Sequence, residues 1–353
     1  MAMKYLLADQ SLLKVEHFEG IPWLLAQYMW EALKEPHKQT MHLWMIMTLV
    51  YRSQFFQISP SYHLRVDVPR EPLADYFNTL NSESLDWLAV LTVSSNYGTV
   101  TDMVSIGNIK NLVALEINGT KRAKWAPGGR TDESIWQSGL DYRIFRSWAE
   151  MAQSGHFLQH LRILKLCKQN RLDPSILRLL VELPQLQVVV AHCCDIFTEE
   201  GHKSRLYLSR EGLPLQGWIA WTPQSMAAAG KGHGSWGPDG NVRKLYRDTL
   251  AKEGTNSGDI SPHVPIMELE LAPSQPVGSD GVASGAPRLI GADTSRARVM
   301  VAGPGTNDTI IFTRPTEPVG GTKRAAPTSS RSQPVRVMKK RSRDVADMLG
   351  EFM

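Results

Sequence analysis

The sequence is short of cysteine, of long apolar runs and of acidic residues near its C-terminus, and each shortage excludes something. Cys167, Cys193 and Cys194 are the only cysteines in 353 residues. Three thiols cannot close a set of disulfides, so a reduced, intracellular setting is expected. No apolar run approaches the roughly 18 residues of a membrane span; the best, Met41 to Tyr51, is short and contains His42. The first residues carry one lysine, Lys4, then four apolar residues from Tyr5 to Ala8, then Asp9. That pattern does not read as a signal peptide.

Acidic residues are missing from 318 to 343, which hold Lys323, Arg324, Arg331, Arg336, Lys339, Lys340, Arg341 and Arg343. The whole chain has 39 basic and 35 acidic residues, so its formal charge of +4 belongs to this segment. Residues 1–317 are close to neutral, whereas a nucleic-acid-binding fold spreads basic charge over a folded face. Nucleic acid is therefore not expected as a partner, except through the tail. Hydrophobic residues make up 42% of the chain, enough for one good core. The length suggests two domains, or one domain with tails.

What is present is a repeated phrase. Leu88, Leu91, Val93 and Asn96 fit L-x-x-L-x-L-x-x-N, and Leu112, Leu115, Ile117 and Thr120 repeat it. Leu161, Leu164, Leu166 and Gln169 make a third copy, and Leu186, Val189, Ala191 and Cys194 a fourth. The copies begin 24, 49 and 25 residues apart; the long step reads as one hidden unit with an inserted loop at Ala123 to Trp136. An L-x-L spacing puts two side chains on one face of a short strand. The last position should turn inward, where its side chain can bond neighbouring backbone. Helical returns are expected at Ile144 to Met151 and Leu177 to Leu183. The pattern resembles the leucine-rich repeat superfamily in its ribonuclease-inhibitor-like form. That resemblance implies an α/β fold, a short solenoid with parallel strands on its concave side.

Residues 1–58 contain three helical stretches: Leu6 to Phe18, Trp23 to Leu33 and Thr40 to Phe55. In the second, Leu24, Leu25, Tyr28, Met29 and Leu33 form the expected apolar face. A helical block before leucine-rich repeats is similar to the layout of F-box/leucine-rich-repeat proteins. Their usual L-P-x-E-L opening stands here as Ile21-Pro22-Trp23-Leu24-Leu25, without the glutamate. Residues 1–58 are accordingly read as a helical cap for the solenoid. A ubiquitin-ligase adaptor is the alternative partner that the resemblance implies for them.

Residues 59–222 are assigned to the repeat domain. Residues 223–338 contain 15 glycines and 12 prolines, which marks a long, mostly disordered region. Three β-like stretches interrupt it at Ile266 to Leu271, Arg298 to Ala302 and Thr309 to Thr313. Residues 339–353 combine a basic cluster with an amphipathic helix. Lys339, Lys340, Arg341 and Arg343 fit a nuclear-import signal, which implies an importin contact and a nuclear location, with the cytoplasm as the alternative. Val345, Met348, Leu349, Phe352 and Met353 share one helical face, suited to a partner groove or to the chain's own repeats.

No chemistry can be argued from spacing. Gly232-x-Gly234-x-x-Gly237 is followed by Pro238-Asp239-Gly240, so no helix opens there to meet a pyrophosphate. His156 and His160 lack the glutamate of H-E-x-x-H, and His192-Cys193-Cys194-Asp195 has no second ligand cluster. No catalytic group, cofactor or metal is expected. The function expected is that of a non-enzymatic scaffold or adaptor. It would bind a protein on an open concave sheet through the outward side chains Thr92, Glu116, Lys165 and Val190.

Overall fold

The computed structural model describes residues 9–34, 39–95, 97–119, 140–155, 157–169, 172, 175–192, 194, 213–215, 217–222, 226, 229, 240–253, 263–271 and 309–315. Each leucine phrase forms a strand: β2 at Leu88–Ser94, β3 at Leu112–Asn118, β4 at Ile163–Cys167 and β5 at Val188–His192. The four lie side by side in chain order, all parallel. Between them the chain returns through α5 (Val100–Ser105), α6 (Tyr142–Gln153) and α7 (Ile176–Leu180). All three helices pack on one face of the sheet. There Ala89, Leu91 and Val93, Leu115 and Ile117, Leu164 and Leu166, and Val189 and Ala191 share a single core with Met103, Trp148 and Leu177.

Local chemistry sets these returns. Thr99 caps α5 and Asp102 reaches back to the Thr99 amide, a capping box. Past the end of α6, Gly155 adopts a positive φ of 81°, a conformation that favours glycine. The last residue of two phrases behaves as its spacing suggests. Gln169 Nε2 donates to the carbonyls of Ile117 and Cys167 at 3.2 and 3.0 Å. The Cys194 thiol donates to Leu166 O at 3.2 Å. Each side chain ties its own strand to the one before.

Among the described residues, the sheet extends beyond the phrases to nine strands, in the order β1-β8-β2-β3-β4-β5-β9-β7-β6. Strand β1 is Ser61–Val66, β6 is Leu213–Leu215 and β7 is Trp218–Trp221. Strands β8 (Ile266–Leu271) and β9 (Thr309–Thr313) come from the Gly/Pro-rich region. They do not pair with each other or line an edge. Strand β8 enters between β1 and β2, parallel to both, and β9 pairs antiparallel with β5 and β7. The same region also holds a helix that the sequence reading lacked, α8 at Val242–Glu253. The boundary at residue 222 therefore fails, because apolar strands such as Ile-Met-Glu-Leu-Glu-Leu bury their side chains in the sheet. Arg298 to Ala302 lies outside the described residues.

The N-terminal block differs in detail. Of the stretch Leu6 to Phe18, residues 6–8 lie outside the described residues, and the rest holds two short 3-10 turns, at Gln10–Leu12 and Val15–His17. Helix α1 spans Trp23–Ala32, with Pro22 as its cap residue. The third stretch breaks at Tyr51 into α2 (Met41–Val50) and α3 (Arg52–Ile58). The Tyr51 hydroxyl lies 2.8 Å from Phe18 O and 2.6 Å from Ile21 O, fastening the break to the preceding turns. After β1, α4 (Leu73–Leu80) joins the same core. The apolar face expected on α1 is largely turned outward. Leu24, Leu25 and Tyr28 are 76%, 57% and 63% exposed, while Ala26, Met29, Trp30 and Leu33 are buried.

Candidate interaction face

The face of the sheet opposite the returning helices carries the side chains of alternate strand positions. Register places Thr92 beside Glu116, Glu116 beside Lys165 and Lys165 beside Val190. The four residues expected to meet a partner thus form one row across β2 to β5. Glu270 on β8 and Arg65 on β1 extend the row at one end, and Ile311 on β9 at the other. Toward the carboxyl ends of the strands, a second row runs Ser94, Asn118, Cys167, His192 and Thr309.

Expectation and structure part over Lys165 and Val190. Both are buried, Lys165 to 2% exposure, so the face is not open there. Helix α8 lies against β2, β3 and β4, and Val242, Leu245 and Tyr246 enter one core with Val90, Ala114, Ile163, Val188 and Val190. Its start is clasped by polar contacts. Lys165 Nζ donates to Gly240 O at 2.6 Å. Asn241 Nδ2 donates to Glu268 Oε1 at 3.1 Å, and Arg243 Nη1 lies 3.1 Å from Glu268 Oε2. Thr92, Asn118 and Glu270 remain partly exposed, the Glu116 side chain is mostly covered at 13% exposure, and His63 and Arg65 are exposed. A polar strip therefore stays open beside the helix.

The strip is held by charge. Glu116 Oε2 lies 3.3 Å from Lys165 Nζ, while Glu270 lies 3.1 Å from Arg65 Nη1 and 3.3 Å from His63 Nε2. Burial pushes the Glu116 carboxyl above the usual carboxylate range, and Lys165 opposes that shift. The Cys167 thiol, 3.9 Å from Glu116 Oε1, is pushed up to about 12 by burial and then by Glu116. It stays protonated at neutral pH, a poor nucleophile. His192 Nδ1 shares a 2.8 Å hydrogen bond with Thr309 Oγ1. Among the described residues no group of three His, Cys, Asp or Glu is arranged to hold a metal ion.

Val345, Met348, Leu349 and Phe352 lie outside the described residues, as do Lys339, Lys340, Arg341 and Arg343. His156, Cys193 and the Gly232 loop lie outside them too. The sequence reading missed His63, Arg65, Glu268 and Glu270, whose strands join the sheet from distant parts of the chain. It also missed α8, although Val242, Leu245, Tyr246 and Thr249 stand at i, i+3, i+4 and i+7. No described helix is long and apolar enough to cross a membrane. Compared with known proteins, the chain matches no family model, no curated protein and no solved structure.

Proposed function

We propose that the protein is a non-enzymatic scaffold or adaptor of leucine-rich-repeat type, which binds a protein partner on the sheet face opposite its returning helices. The observation that supports this most is the strip of Thr92, Glu116, Asn118, Glu270 and Arg65. Its polar side chains run from the edge strand β1 through β8 and β2 to β3, only partly covered, on strands backed by a continuous core. Rigid strands presenting alternate side chains are the usual recognition surface of stacked-repeat folds. The test is affinity capture with the full chain carrying Thr92→Arg and Asn118→Arg. Loss of the captured partner, with an unchanged melting temperature, is the expected result; an unchanged set of partners refutes the assignment.

The protein is proposed to act in the nucleus, with importin engaging Lys339, Lys340, Arg341 and Arg343. Unaltered nuclear accumulation after their replacement by alanine overturns that reading. The alternative function is that of an F-box-like substrate receptor. The outward face of α1 favours it, since Leu24, Leu25 and Tyr28 form an apolar surface in the block that carries the resemblance. A ligase adaptor should then copurify with the intact chain and be lost on Leu24→Asp with Tyr28→Asp. Absence of any adaptor from the intact chain removes this alternative.

A further inference from the structure

We infer that α8 is an autoinhibitory cover. It occupies in cis the part of the sheet face that an amphipathic helix of a partner takes in trans, and it lifts away as a unit. The inference rests on the proposed use of this face and adds the kind of partner it fits.

The two faces of the sheet are covered unequally. Among the described residues, one carries α5, α6 and α7 over a core that continues into the N-terminal helices, while the other carries the twelve residues of α8 together with Met226 and Ala229. Helix α8 presents Val242, Leu245, Tyr246 and Thr249 to the strands, with Leu250 at the margin. Its remaining positions include Arg243, Lys244, Arg247, Asp248, Lys252 and Glu253. The imprint it fills is thus that of one amphipathic helix with anchors at i, i+3, i+4 and i+7, the spacing of helix-in-groove recognition.

The contacts beneath its start point the same way. A cover selected for stability alone meets apolar side chains, because a buried ion pair rarely outperforms them. Here the start of α8 closes over Lys165 and Glu268, and Lys165 in turn pairs with Glu116. These charges bind the helix through Gly240 O, Asn241 and Arg243, groups that a partner helix with a basic residue near its start also offers. The chain permits the movement. Ten residue steps separate Glu253 from His263, a reach of up to roughly 35 Å, so α8 can leave without unpairing β8.

The test has two parts. In the intact wild-type chain, amide hydrogen exchange of α8 is compared with that of β3. The inference expects α8 amides to exchange at least about tenfold faster, through an opening that leaves β3 protected. Equal protection of α8 and β3 means that the helix opens only when the whole unit unfolds, and overturns the inference. Second, a labelled synthetic peptide of residues 240–253 is titrated into wild type and into the full chain with Val242→Asp and Leu245→Asp. Binding at least about tenfold tighter to the variant is expected, since the resident helix no longer competes. No binding to a variant whose β3 amides remain protected contradicts the inference. Should α8 open and the peptide bind while Thr92→Arg with Asn118→Arg leaves partner capture unchanged, the proposed function fails and the cover stands. Should α8 never open alone while those substitutions abolish capture, the reverse holds.

Discussion

Glu116 and Leu115 are neighbours in sequence, yet they face opposite sides of the same strand and carry opposite physics. Leu115 is fully buried among the returning helices. Leu115→Ala removes buried methyl groups and leaves a cavity, and should lower the unfolding free energy by about 2–5 kcal/mol in urea titrations. Glu116 is a carboxylate whose folded pKa lies above its unfolded value. Between those two values the folded state binds more protons than the unfolded one, so stability rises as the pH falls through that window. The prediction is that wild type gains stability relative to Glu116→Gln when urea titrations move from neutral pH toward the carboxylate range. A difference between the two chains that is flat with pH would show that Glu116 is not held in a desolvated site. The L-x-L phrase made Leu115 legible as core and Glu116 as its opposite, because strand alternation is a local property. The cover over its partner Lys165 was not legible, since Lys165 bonds Gly240, 75 residues further along and just before α8.

At the scale of elements, periodicity found the four phrase strands and missed how others join them on either side. Four phrases with regular spacing became four adjacent strands with helices between them, as local pattern and short connections suggest. The Gly/Pro content from 223 onward hid α8, because composition averaged over a long region masks a short amphipathic segment within it; β8 and β9 were legible as β-like stretches, but not their place inside the sheet. The apolar residues of α1 were legible, but not which of them the core would take; Ala26 and Trp30 are buried where Leu24 and Tyr28 are not. Strand β9 ends in a polar latch of its own. Arg314 Nη2 donates to Val181 O at 2.7 Å and to Leu183 O, and Nη1 donates to Pro184 O at 3.4 Å. Its guanidinium also lies 5.5 Å from the centre of the Trp218 ring. Arg314→Ala leaves the carbonyls after α7 without their charged donor and should cost about 1–2 kcal/mol. Denaturant unfolding would measure that loss, and faster exchange of the β9 amides should accompany it.

For the molecule as a whole, the decisive feature is the entry of β8 between β1 and β2. A chain ending at residue 222 would lose β8, β9 and α8 together, leaving β1 detached and β2 with an open edge. Such a fragment is predicted to unfold without a cooperative transition and to lack the near-ultraviolet circular dichroism of the full chain. A sharp, native-like transition would show that the first 222 residues form a domain by themselves. The surface available to a partner is likewise a property of the whole, because strands from three parts of the sequence build the strip from Arg65 to Glu116. Photocrosslinking decides most directly whether that strip is the recognition surface. With a photoreactive phenylalanine derivative at position 92 or at position 24 of the full chain, illumination during partner capture should attach the partner at 92 and not at 24. Attachment at position 24 alone would place recognition on α1 and contradict the account.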